Sequence, residues 1–102
     1  MKFEVVGKLD DFPDGLAREV RVGARRIAIF RLGEELYALK NICPHHAEPL
    51  HCLPPLDGQA VCIGHGWRFD LKSGACVAGP EDARVAVYPV RVEGDEVMVG
   101  VG

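Results

Sequence analysis

With 102 residues, 48% of them hydrophobic and 26% charged, the chain has the composition of a globular protein and room for one domain, 1–102. Twelve basic against fifteen acidic side chains give a net charge of -3 with neither sign gathered into a block, which excludes the basic stripe that nucleic acid would call for. No apolar run approaches a signal core or a membrane span, so the sequence predicts a cytoplasmic protein that binds no membrane, with four reduced cysteines in a pattern that points to metal-binding or catalytic use rather than a disulfide framework.

Apolar alternation comes in short bursts, "KFEVVGKL", "REVRVGARRIAIFRL", "ELYALK" and "VYPVRVEGDEVMVGV", each read as strand. Turn signals separate them: Pro13-Asp14-Gly15, Gly33-Glu34-Glu35 and Gly94-Asp95. Around the last turn, Val90 and Val92 on one side and Val97, Val99 and Val101 on the other repeat at period two, which predicts one apolar face. At most a short helix is expected, at the start of "PEDARVAV". The fold class that follows is all-β and antiparallel, joined mostly by hairpins.

The segment from about 41 to 80 breaks this pattern. It holds Pro44, Pro49, Pro54, Pro55 and Pro80 together with all four cysteines and all four histidines. Loops of this kind order poorly by themselves, and a metal that ties them together supplies what a hydrophobic core does not. Two pairs qualify as ligands. Cys43 and His45 stand in C-x-H, Cys62 and His65 in C-x2-H, and the combined pattern is C-x-H-x16-C-x2-H. Each loop would supply one thiolate and one imidazole, whereas in a zinc finger the cysteines generally share one loop and the histidines the other. Zinc stays open as a competitor, because His46 would give C-x-x-H in both loops, and so does a pair of buried thiols beside two loop histidines. The positions of Cys52 and Cys76 fit no all-thiolate cluster spacing, so both read as buried or weakly reactive thiols, and His46 and His51 as surface loop side chains.

These loops resemble those of the Rieske family, which read roughly C-x-H-x-G-x-x-L and C-P-x-H-G-x-x-F-D-x-x-T-G. Cys43, His45, Leu50, Cys62, His65, Gly66, Phe69, Asp70 and Gly74 match; Ala47 replaces a glycine and Ile63 a proline, without loss of a ligand. "AGP" at 78–80 is similar to the family's proline-containing third loop. The resemblance implies a Rieske-like β sandwich or barrel with an inserted cluster-binding subdomain, and one 2Fe-2S cluster with Cys43 and Cys62 on one iron and His45 and His65 on the other. It also implies that Trp67 shields the cluster while Phe69 anchors its loop. Two iron(III) ions, two sulfides and two thiolates sum to a neutral site that one electron makes singly negative, so the implied role is one-electron transport with no catalysis by the chain itself.

High-potential members resemble C-x-H-x-G-C with C-P-C-H-G-S, whose extra cysteines form a disulfide while the serine donates to sulfur. Those places are Glu48, Gly64 and Trp67 here. The chain is therefore more similar to the low-potential Rieske ferredoxins, which implies a monomeric carrier from a flavin-dependent NAD(P)H reductase to the terminal non-haem iron oxygenase of a dioxygenase system. A similar length and "YPVRVE" tail keep a second role open, the Rieske-like small subunit of an assimilatory NAD(P)H nitrite reductase.

Overall fold

The computed structural model describes residues 2–44, 48–64, 66–80 and 82–101. Its strands are β1 (Lys2–Lys8), β2 (Ala17–Val22), β3 (Arg25–Leu32), β4 (Glu35–Lys40), β5 (Gln59–Val61), β6 (Arg68–Asp70), β7 (Cys76–Ala78), β8 (Val87–Tyr88), β9 (Val90–Glu93) and β10 (Glu96–Val101). They form three antiparallel sheets, ordered β1-β10-β9, β2-β3-β4-β8 and β5-β6-β7. The all-β expectation is met, and among the described residues a single 3-10 turn at Leu9–Asp11 is the sole helical element.

The burst "REVRVGARRIAIFRL" divides at Gly23-Ala24 into β2 and β3, paired from Ala17↔Phe30 to Val22↔Arg25. Gly23, Gly33 and Gly94 each open a two-residue hairpin with φ of 62°, 63° and 63°, and the residue after each has no positive φ. That is the type II′ arrangement, whose twist matches that of the flanking strands.

Burial explains the unbroken apolar run 27–30 of β3. Side chains alternate across a strand, and here both faces are covered. Ile27 and Ile29 enter one core with Phe12, Val22, Ala38, Val97, Val99 and Val101. Ala28 and Phe30 enter a second, with Leu39, Leu50, Ala60, Phe69, Leu71, Val85 and the two cysteines Cys43 and Cys62. The middle sheet thus separates the sandwich core from the core beneath the cysteine loops.

Two expectations need correction. Val92 pairs with Val97 on the apolar face but stays 41% exposed, because β9 is the edge of its sheet and no strand flanks it. No helix forms over the described part of 80–87. Ala83 N–H closes one turn on Pro80 O, after which Arg84 bridges to Ala75 and β8 joins β4, so tertiary pairing draws the chain extended.

Candidate metal centre

The second cysteine loop is a β-hairpin end. β5 and β6 pair from Gln59↔Asp70 to Val61↔Arg68, and the ladder is closed by Cys62 N–H donating to Trp67 O at 2.8 Å and Gly66 N–H to Cys62 O at 3.1 Å. The hairpin is entered through Leu56-Asp57-Gly58-Gln59, where Asp57 (φ 53°) and Gly58 (φ 74°) both take positive φ and Leu56 and Gln59 exchange backbone bonds of 2.9 and 3.0 Å. That is a type I′ Asp-Gly turn, a signal present in the sequence and passed over. Beyond β6, the Asp70 carboxylate accepts from Ser73 N and Oγ, both at 2.9 Å, and Gly74 N–H donates to Asp70 O at 2.8 Å. These bonds to the charged form, led by the Ser73 hydroxyl, hold the Asp70 carboxyl below its usual range. "FDLKSG" is therefore a turn-forming unit, with Phe69 fully buried beneath it.

The first loop is closed differently. It leaves β4 and, among the described residues, does not return as a strand; Cys43 N–H donates to Glu48 O at 2.7 Å, and the rest of the closure falls to Asn41. Asn41, 1% exposed, is the buried polar side chain among the described residues. Its Oδ1 accepts from Leu50 N at 2.7 Å and His51 N at 3.1 Å. Two backbone donors fix the amide orientation, so Nδ2 faces Glu19 Oε2 at 2.6 Å and His51 Nδ1 at 2.8 Å. His51 Nδ1 is consequently the acceptor, and the ring carries its proton on Nε2. Glu19 is gripped in turn by Arg26 Nε at 2.7 Å. The arginine, together with the amide, keeps the Glu19 carboxyl below its ordinary range against the opposing effect of burial. His51 is thus a part-buried member of a network rather than the surface side chain expected of it. Neither Asn41 nor Glu19 carries a motif; an Asx residue at a strand end, able to bond the backbone of a following loop, was the available hint.

A third segment flanks both loops. Pro44, Trp67, Pro80, Asp82 and Ala83 line a concavity of about 160 Å3. Trp67 is half-buried and packs so closely on the Gly79 backbone (φ 141°) that a side chain there would meet its ring at 3.0 Å and Cys76 Sγ at 2.9 Å. The small residue in "AGP" is thereby explained.

Of the expected ligands, Cys43 and Cys62 are each 1% exposed, carry no disulfide, and belong to one buried group of side chains. His45 and His65, like His46 and Ala47, lie outside the described residues. Cys52 is exposed and Cys76 half-buried, and among the described residues, which include all four cysteines, no three His, Cys, Asp or Glu side chains come together. An all-thiolate cluster therefore has no support. Two soft, buried, unbridged thiols at the ends of two closed loops are the thiolate half of the donor set that an iron–sulfur centre with mixed ligation takes from its protein.

The chain matches the family model described as the Rieske [2Fe-2S] domain over residues 2–89. It is 33% identical over 97 residues to the anthranilate 1,2-dioxygenase ferredoxin subunit of Burkholderia cepacia, covering 95% of this chain and 90% of that one. The solved ferredoxin of carbazole 1,9a-dioxygenase from Nocardioides aromaticivorans IC177 superposes with a TM-score of 0.93 at 28% identity, over 100% of both chains. A ferredoxin solved in complex with the oxygenase of carbazole 1,9a-dioxygenase superposes at 0.86 with 30% identity, covering 95% and 91%. No helix among the described residues is long and apolar enough to cross a membrane. A match over this span, on a sandwich whose two cysteine loops close over a common core, has one meaning: the chain belongs to the Rieske [2Fe-2S] domain family, and its cofactor is a Rieske 2Fe-2S cluster.

Proposed function

We propose that residues 1–102 act as one unit, a monomeric cytoplasmic electron carrier that accepts an electron from a flavin-dependent NAD(P)H reductase and delivers it to a terminal non-haem iron oxygenase. The observation that carries this reading is the burial of Cys43 and Cys62 together beneath two separately closed loops, in a chain whose relatives are named as ferredoxin components of dioxygenase systems. Cys43 and Cys62 would hold one iron, His45 and His65 the other. A Rieske cluster supplies reversible one-electron transfer.

The protein's own contribution is positional. The β5–β6 ladder fixes Cys62 and Asn41 steadies the stem that bears Cys43, so the thiols keep their places when the charge of the centre changes. Trp67, seated on Gly79, screens one side from water, which strengthens the local electrostatics.

Metal and sulfide analysis tests the reading: the purified protein should be red-brown with about two irons and two acid-labile sulfides per chain. Cys43→Ser, Cys62→Ser and His65→Ala should lose the colour and His46→Ala keep it. A colourless protein with one zinc after anaerobic reconstitution overturns the reading. Stable co-purification with a sirohaem enzyme, and turnover only inside it, would support the nitrite reductase small subunit instead.

A further inference from the structure

The two cysteine loops differ in how they are closed: the first has one backbone bond, Cys43 N–H to Glu48 O, and beyond it rests on one side chain. The second is the end of a paired hairpin, so ladder bonds on both strands hold its stem. The first departs from β4 at Lys40 and, among the described residues, meets no returning strand; residues 48–51 carry no ladder. Where a ladder would stand, the Asn41 carboxamide takes Leu50 N and His51 N on Oδ1 and anchors itself by Nδ2 on Glu19 of β2. Its own N–H donates to Arg26 O at 2.9 Å, so backbone and side chain are both fixed to the middle sheet.

We propose that Asn41 is the positioning residue of the first cluster loop: held by Glu19, it replaces the missing strand, fixes the span between the two ends of the loop, and so sets the geometry in which Cys43 is presented to the metal. The inference rests on the reading of Cys43 as a ligand. Its physical basis is that a buried amide with all its groups bonded has one low-energy orientation, whereas the exposed connection it spans has many. Loss of the amide leaves Leu50 N–H buried without a partner and frees the loop to move. A residue that orients a metal's ligand without touching the metal changes affinity by about 10–100-fold when removed.

The test uses the iron-loaded protein, and metal analysis comes first: wild type lacking iron and sulfide fails the cluster reading itself, before any variant is compared. Iron release to a chelator, well below the melting temperature, is then measured beside the electron paramagnetic resonance spectrum of the reduced protein. Asn41→Ala should release iron about 10–100-fold faster and broaden the spectrum. Asn41→Asp sets two carboxylates 2.6 Å apart in place of a hydrogen bond, and should behave alike. A role in fold stability alone would lower the melting temperature and leave the spectrum unchanged. Should the Asn41 single variants fail to fold, Glu19→Ala, at a part-exposed strand position, removes the anchor together with its ion pair to Arg26 and should move both readouts in the same direction. Wild-type release and spectrum in any folded single variant overturns the proposal.

Discussion

Gly74 ends the stretch "HGWRFDLKSG", and the structure gives it a steric task that can be measured. Its φ is 76°, and a Cβ there would lie 2.1 Å from Val85 O and 3.2 Å from Val85 C. Gly15 is a matched control, with φ of 78° and no atom within 4 Å of the same construction. Alanine at either site meets left-handed strain of about 1–2 kcal/mol. At position 74 the Val85 carbonyl must also retreat, which breaks the 2.9 Å bond from Val85 N–H to Gly74 O and loosens buried Val85. The lost bond adds about 1 kcal/mol and the forced repacking about 1–3. Gly74→Ala should therefore cost between about 3 and 6 kcal/mol, a large share of the 5–15 typical of a domain, against about 1–2 for Gly15→Ala. Thermal melts at one scan rate, followed by far-ultraviolet circular dichroism and visible absorbance, read this directly. At about 4–8 °C per kcal/mol, Gly15→Ala should fall by about 5–15 °C and Gly74→Ala at least twice as far. Equal shifts would show that backbone conformation alone governs both sites and that the contact with Val85 is immaterial.

Asp70→Asn should destabilise by about 1 kcal/mol near neutrality, since it replaces charge-assisted bonds by neutral ones. The folded Asp70 carboxyl lies below its ordinary range, so the wild-type advantage is full above the unfolded pKa, near 3.9, and disappears as pH falls through the folded value. Denaturation at a series of pH values checks this, and a gap that does not narrow as pH falls below the unfolded pKa would refute it. The absence of the disulfide and serine at Glu48, Gly64 and Trp67 places the reduction potential toward the low end of the Rieske range, about -150 mV. Voltammetry giving more than about +150 mV would show that other dipoles have taken their place.

The strands and the cysteine pairs were readable because each depends on residues near one another in the chain. Period-two alternation locates β1, β4 and β10, and C-x-H with C-x2-H marks the loops before any contact is known. What escaped was long-range. Glu19 and Asn41 lie 22 positions apart, and only the pairing of β2 with β3 and β3 with β4 brings them together, so His51 looked like a surface side chain. The same cause turned "PEDARVAV" from a helix start into an extended segment, since Ala75 and the edge of β4 claim its backbone. Val92 failed for the opposite reason: its period is right, but alternation cannot say which strand ends a sheet. The Asp57-Gly58 turn, by contrast, is local and legible in its own dipeptide.

The double-sided burial of β3 bears on whether the cysteine-bearing stretch can be transplanted. Residues 41–80 are contiguous, and an engineer might excise them as a cassette for a new host. Yet the floor on which Leu50, Ala60, Phe69 and Leu71 rest includes Ala28, Phe30 and Leu39, and the anchor of Asn41 lies farther back, on Glu19. A graft of the stretch alone would expose that apolar underside and fail to close its first loop. A transplant that works must carry β2, β3 and β4 as well, and Ile27 and Ile29 on the far side of β3 would then oblige the recipient to supply the opposite sheet.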